Sequence, residues 1–165
     1  MLVRSEEPSD LAAIRFVNEQ AFGRREEADL VDRLRVERVV LASFVAEAQG
    51  QLVGHILFSR ISIEMAGGSV PAVALAPLAV LPKLQRQGIG NILVSHGLDW
   101  LRGGIEEIVL VLGHPEYYAR FGFSTQKARF LDSPFDAKAF MALELKPDTL
   151  RNIRGSVRYP DAFGI

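Results

Sequence analysis

An α/β fold built on a mixed sheet is what this sequence predicts, and three observations carry the prediction. Apolar residues recur at helical spacing near the N-terminus and then switch to β-type runs, VVLASFVAEA (39–48) and LVGHILFSRISIEM (52–65). The run SVPAVALAPLAV (69–80) is apolar throughout, as a strand covered on both faces is. It leads into a glycine-containing turn, LQRQGIGNIL (84–93), that opens directly into another helical pattern.

The elements follow in order. MLVRSE (1–6) reads as a short opening strand. Pro8, Ser9 and Asp10 supply the chemistry of a helix start, and Leu11, Ile14, Val17 and Ala21 form a stripe that runs to Phe22 and breaks at Gly23. A second helix is expected from Arg25 to Arg35, with Leu30, Val31 and Leu34 inward and acids in its first turn, where the helix dipole favours them. Gln49-Gly50-Gln51 joins the two β runs as a hairpin turn, and Gly67-Gly68 makes the next turn. Pro77 has no N–H to give a ladder, so it marks a bulge or a break in the third run. The following helix is expected from Gly88 to Arg102, with Ile89, Ile92, Leu93, His96, Trp100 and Leu101 on one face. EEIVLVLG (106–113) reads as a further buried strand. HPEYYARFGF (114–123) reads as one short helix with Pro115 at its first position, and KAFMALEL (138–145) as a last strand. The order is β-α-α-β-β-β-α-β-α-β, an α/β fold with a mixed sheet. No repeat or linker interrupts residues 1–165, which read as a single domain.

Composition narrows the function. A chain of 165 residues can bury about two thirds of its unfolded surface. The formal charge is −1 with Lys and Arg scattered, so the basic stripe of a nucleic-acid binder is missing and no such partner is expected. Without cysteine there is no disulfide, no thiolate nucleophile and no Cys-ligated zinc. No pair among the three histidines has metal-ligand spacing, so no metal is expected. The N-terminus carries no apolar signal region, and no apolar run approaches the ~18 residues of a membrane span. A cytoplasmic protein with no membrane partner is the expectation.

The glycine turn is the chemical signal. A strand, a tight turn and a helix start leave main-chain N–H groups unpaired, and the helix dipole adds roughly half a positive charge there. Gly88 and Gly90 let backbone approach a bound oxygen where a Cβ would collide. A Walker-type loop needs Gly-Lys-Ser/Thr at its end, whereas Asn91-Ile92 follows here. A dinucleotide fingerprint needs a third glycine, and residue 93 is Leu. Close packing of a turn remains as a purely structural use.

A third phosphate reading is coenzyme A, and here the residues carry a resemblance. Gln85-Arg86-Gln87-Gly88-Ile89-Gly90 is similar to the Gln/Arg-x-x-Gly-x-Gly/Ala motif of the GNAT superfamily of N-acetyltransferases. Leu78-Ala79-Val80 and Pro82 precede it as in that family, and Tyr118-Ala119-Arg120-Phe121-Gly122-Phe123 resembles its Tyr-x-x-x-Gly-Phe block. AFGRREEADLVDRLR (21–35), VGHILFS (53–59) and AFMALEL (139–145) extend the likeness to the YhbS-like branch of predicted acetyltransferases, over essentially the whole chain.

The resemblance implies a GNAT-like fold: a mixed, mostly antiparallel sheet splayed at a central parallel strand pair, with helices on both faces. It also implies an acetyl-CoA-dependent acyltransferase that acetylates a primary amine by direct attack, acetyl-CoA being the cosubstrate. Leu78, Ala79 and Val80 would contact the pantetheine arm and offer an oxyanion donor. The amides of Gln85, Arg86, Gln87, Gly88, Ile89 and Gly90 would hold the pyrophosphate, with Arg86 or Lys83 adding charge. Tyr118 takes the general-acid position; Tyr117 points about 100° away on a helix, so one of the pair faces the coenzyme. The base is open between His114, at a strand end, and Glu26 or Glu27, at a helix start, with His55 reading more readily as a core histidine. Where many relatives carry an Asn after the fifth strand, this chain has Val-Leu-Gly-His-Pro-Glu (111–116). The acceptor, a small molecule or a protein, has no signature. The strand at 138–145 is a possible edge for a homodimer, with a monomer the other state. The rival reading is a non-catalytic acetyl-CoA-binding or interaction domain with the same fold.

Overall fold

The computed structural model describes all residues, Met1–Ile165. Eight strands are hydrogen-bonded in the order β1-β2-β3-β4-β5-β7, with β8 pairing both β3 and β6. They are β1 (Leu2–Ser5), β2 (Val40–Ala48), β3 (Gln51–Met65), β4 (Gly68–Val80), β5 (Ile108–Leu112), β6 (Leu131–Asp132), β7 (Phe140–Glu144) and β8 (Gly155–Arg158). The helices are α1 (Leu11–Phe22), α2 (Glu26–Val36), α3 (Ile89–Arg102) and α4 (Pro115–Tyr118). The chain divides into two compact units, 1–59 with 76–99 and 60–75 with 100–165.

In the first unit β1, β2 and β3 form an antiparallel meander, with Val45 opposite His55 and Phe44 opposite Ile56. Gln49 and Gly50 close its hairpin with φ of 51° and 76°, the paired positive values of a turn whose twist suits the flanking strands. Alternate residues point to opposite faces of a strand, which sorts the helices. On the face of Gly54, Ile56 and Phe58 lies α3: a Cβ at Gly97 would stand 2.3 Å from the Phe58 ring, and His96 meets Phe44 with ring centroids 4.8 Å apart. On the face of His55 lies α1, whose Asn18 bonds the imidazole. Helices therefore cover both faces. α2 packs on α1, and Arg15 bridges them by donating to Asp29 at 2.6 Å and Asp32 at 2.7 Å. Gly23, at φ 67°, ends α1 and donates to the Glu19 carbonyl at 2.9 Å.

The second unit holds the parallel pair, Val73 opposite Val109 and Ala74 opposite Leu110. β7 runs antiparallel to β5, with Phe140 opposite Leu112. Its core is Ile61, Ile63, Ala72, Ala74, Ile108, Leu110, Phe140 and Ala142, with further side chains from the C-terminal segment.

Three expectations need correction. The inward face of α3 is Ile89, Leu93, Val94, Gly97, Leu98 and Leu101, while Ile92 is 45% exposed and Trp100 49%. The helical spacing holds but the buried stripe is rotated by about one position, because glycine at 97 is the contact residue and carries no hydrophobic signal. The 114–123 segment is α4 followed by a 3₁₀ turn, Ala119–Phe121, rather than one helix. The 138–145 run is not the last strand, since β8 follows it; β7 does end the strand order, but Phe140–Leu143 are buried and Ala142 exchanges both backbone bonds with Ser124.

Candidate functional site

Two polar constellations stand out, one in each unit. The first is the turn from β4 to α3. Pro77 follows a cis peptide bond in the run that ends at Val80. Ala79 is buried, and Leu78 and Val80 are half-buried. Leu81 donates its N–H to Val53 at 2.9 Å, and Pro82–Leu84 make one 3₁₀ turn. Arg86 and Gly88 then take φ of 61° and 91°. Arg86 bears the cost of a left-handed conformation that an L side chain seldom adopts, whereas Gly88 meets it freely and leaves open space where a Cβ would be.

The turn is braced from within. Gln85 donates its side-chain amide to the Val80 carbonyl at 3.0 Å, and Gln87 donates to Lys83 at 3.3 Å. The Gln85 N–H is partly engaged by Pro82 at 3.4 Å. The first helical bond of α3 runs from the Ile92 N–H to the Gly88 carbonyl at 3.1 Å. Hence the amides of Gln87, Gly88, Ile89, Gly90 and Asn91 have no acceptor in the chain. Ile89 is buried, with its side chain turned inward against Gly54. Lys83 and Arg86 are exposed beside these donors. A row of unpaired N–H groups at a helix start, flanked by two cations, is chemistry suited to a diphosphate. Asn91 is the donor that sequence reasoning passed over; counting four free amides from the helix start finds it.

The second constellation is the end of β5. His114 caps α4, its carbonyl accepting from Tyr117 at 3.0 Å and Tyr118 at 3.1 Å, while its imidazole is exposed. The two tyrosine rings meet edge to face with centroids 5.0 Å apart. Tyr118 is buried between Phe123 and Gly113, and a Cβ on Gly113 would stand 2.5 Å from its ring. Burial, with Tyr117 alongside, pushes the Tyr118 phenol well above the usual tyrosine range, so it stays protonated at any ordinary pH. The Tyr117 hydroxyl is sealed from solvent with no hydrogen-bond partner.

The remaining base candidates differ in kind. Glu26 is a surface carboxylate, 71% exposed at 3.7 Å from Arg24. Glu27 is held by Arg24 at 2.5 Å, which keeps its carboxyl below the usual range and makes it a poorer base. His55 is fully buried, donates its Nε2–H to the Ser43 hydroxyl at 2.8 Å and accepts at Nδ1 from Asn18 at 3.0 Å. The Asn18 amide also donates to the Ile14 carbonyl, which fixes that tautomer. Desolvation holds the His55 pKa down to about 3, so it is a neutral core histidine, as its strand context suggests.

With this geometry in view, the comparisons with known proteins are specific. Residues 8–123 match the acetyltransferase (GNAT) family. The chain is 34% identical over 166 residues to the uncharacterized N-acetyltransferase YhbS of Escherichia coli K12, covering 99% of this chain and 98% of that one. It is 42% identical to the uncharacterized N-acetyltransferase YjhQ of the same organism over 117 residues, 70% of this chain and 65% of the relative. Among solved structures, the E. coli YhbS protein in complex with CoA gives a TM-score of 0.91 at 34% identity, over 99% of this chain and 92% of that one. A GNAT family acetyltransferase from Brucella melitensis in complex with acetyl-CoA gives 0.82 at 36% identity, over 98% and 97%.

Proposed function

Because the chain belongs to the GNAT acetyltransferase family and is an acyltransferase, we propose that it moves the acetyl group of acetyl-coenzyme A onto a primary amine by direct attack. The observation that carries this is the row of five unpaired amides from Gln87 to Asn91. Two solved relatives hold CoA and acetyl-CoA, which supports the choice of ligand for such a row. The diphosphate accepts from these amides, with Arg86 and Lys83 adding charge. Gly88 and Gly90 keep the approach clear.

Attack forms the N–C bond of the amide and breaks the C–S bond of the thioester. A lysine-like amine has a pKa near ~10.4, so a proton must leave nitrogen before attack. His114 is the base we favour, since its own backbone anchors the turn that bears Tyr118. A main-chain N–H in the Leu78–Val80 stretch steadies the oxyanion, an effect of about 3 kcal/mol for one donor. Tyr118 gives its proton to the departing thiolate. Its raised pKa keeps the donor loaded, and a thiolate leaving in the same dry surroundings gains proton affinity for the same reason.

Release of free thiol from acetyl-CoA across a panel of amines tests the reading. Calorimetric binding of CoA with no turnover on any acceptor would instead favour a coenzyme-binding domain without catalysis.

A further inference from the structure

The second unit carries a cavity of about 480 Å³ that the coenzyme turn does not use. Leu131, Phe135 and Phe140 give it an apolar wall, and Thr125, Arg129 and Asp132 a polar one. Phe130 lies in the chain between the lining residues Arg129 and Leu131, and two cations share its ring. The Arg129 guanidinium lies 4.5 Å from the centroid of Phe130, and that of Arg154 lies 3.7 Å from it. The two charges are thus no more than about 8 Å apart, a separation at which like charges repel. Backbone pairing holds them there: the Gly155 N–H donates to the Phe130 carbonyl at 3.3 Å, and Leu131 pairs with Gly155.

Neither cation has a carboxylate. Arg129 donates to the Gln126 carbonyl at 2.6 Å, which fixes its orientation, and Arg154 makes no hydrogen bond in the chain. Arg4, Arg15, Arg24 and Arg35, by contrast, each hold an acid. Asp132 and Arg129 are the one acid and the one cation that line the cavity, and Arg154, on the ring next to Arg129, adds a second positive charge beside it. Guanidinium forks suit carboxylate and phosphoryl oxygens, and the apolar wall suits a short hydrocarbon or aromatic body beside them. The cavity also borders the end of β5. Phe140 pairs with Leu112, and the Gly113 N–H donates to Ala139 at 3.0 Å on the residue against which Tyr118 packs.

We propose that Arg129 and Arg154 recognise a carboxylate or phosphoryl group, and that the amine acceptor of this protein carries one. The second half rests on the acyl-transfer reading; the anion site does not. The experiment therefore has an equilibrium arm and a kinetic arm. Phenylacetate, phenyl phosphate and neutral phenylacetamide are titrated by calorimetry into the full chain, its Arg154→Gln and Arg129→Gln variants, and Arg38→Gln as a distant control. One or both anions are expected to bind at least tenfold more tightly than the amide. Either the Arg129 or the Arg154 variant should lose that margin and Arg38→Gln should keep it; which anion binds tells carboxylate from phosphate. Amines bearing the preferred anion should be acetylated with a lower KM than matched amides, and Arg154→Gln should raise that KM with kcat unchanged. Equal binding of anion and amide, or anion binding indifferent to both arginines, overturns the site. Anion binding through Arg154 with no amine turned over upholds the site and removes the transfer reading alone.

Discussion

Two groups of polar atoms in the first unit lie a few residues from buried apolar side chains and are treated in opposite ways. Around His55 both ring nitrogens are matched: Ser43 takes the Nε2 proton, Asn18 supplies one to Nδ1, and the ring is sealed, with Asn18 Oδ1 the one buried atom there left without a partner. Around Gly88 five consecutive amides are left unmatched at the surface. An unpaired buried polar group costs about 1–3 kcal/mol, a cost the imidazole escapes because both of its nitrogens are bonded. The turn avoids that cost only because water reaches it, and a ligand can replace the water. The difference teaches that a polar residue in apolar surroundings reads as function only when its partners are missing and solvent is present.

The largest expected effect tests the open side. Gly88→Glu places a carboxylate among the unmatched amides and should weaken CoA binding by at least a hundredfold, about 3 kcal/mol. Gly88→Ala separates the causes, since its Cβ enters open space and meets only the φ of 91°. It should cost about 1 kcal/mol of stability, read as a shift in the urea midpoint, and much less affinity than the glutamate. Unchanged CoA affinity in Gly88→Glu would sink the assignment of the turn.

Tyr118→Phe comes next. Loss of the proposed acid should lower kcat by roughly tenfold to a hundredfold with little change in the KM for acetyl-CoA. Because the phenol is held well above its usual range, no loss of rate below pH ~10 should trace to its ionisation. A basic limb that vanishes in Tyr118→Phe would contradict the burial argument.

The closed side is tested by pH. His55 stays neutral in the folded chain down to a pKa of about 3, whereas an unfolded histidine binds a proton below ~6.5. The nest's contribution is therefore complete above pH ~6.5 and drains away as pH falls toward 3. At pH 5 the loss should be about 2 kcal/mol, measured by denaturant unfolding and much reduced in His55→Gln. CoA affinity should not follow that variant at neutral pH; if it did, the two regions would not be separable.

How much of this was legible follows from what each residue type signals. The hairpin at Gln49-Gly50, the end of α1 at Gly23 and the turn at Gly88 were readable because glycine at a forced positive φ leaves a local mark. His55 was readable as core from its apolar strand neighbours. Gly97 was not, since a missing side chain against Phe58 is a long-range fit with no local pattern. Arg154 was invisible for a related reason: an arginine in a polar segment looks solvated until a cross-strand pair sets it over Phe130. The base stayed open in sequence because acids in a helix's first turn need no further purpose, and Arg24 now gives Glu26 and Glu27 a surface role.

The smallest effect asks whether the open turn is prepared in advance. Gln85 ties its side chain to the Val80 carbonyl, and Gln87 ties its own to Lys83, so the backbone carrying the free amides is held before any ligand arrives. Gln85→Ala removes one such brace at an exposed position, where a hydrogen bond contributes about 1 kcal/mol. Affinity for CoA should fall about fivefold, and calorimetry should register a larger entropic penalty as the loosened turn is ordered on binding. Stability should move by less than the Gly88→Ala change, because no buried group is orphaned. An unaltered affinity would mean that the amides are organised by the ligand itself, and the contrast with the pre-matched histidine nest would then extend from partners to rigidity.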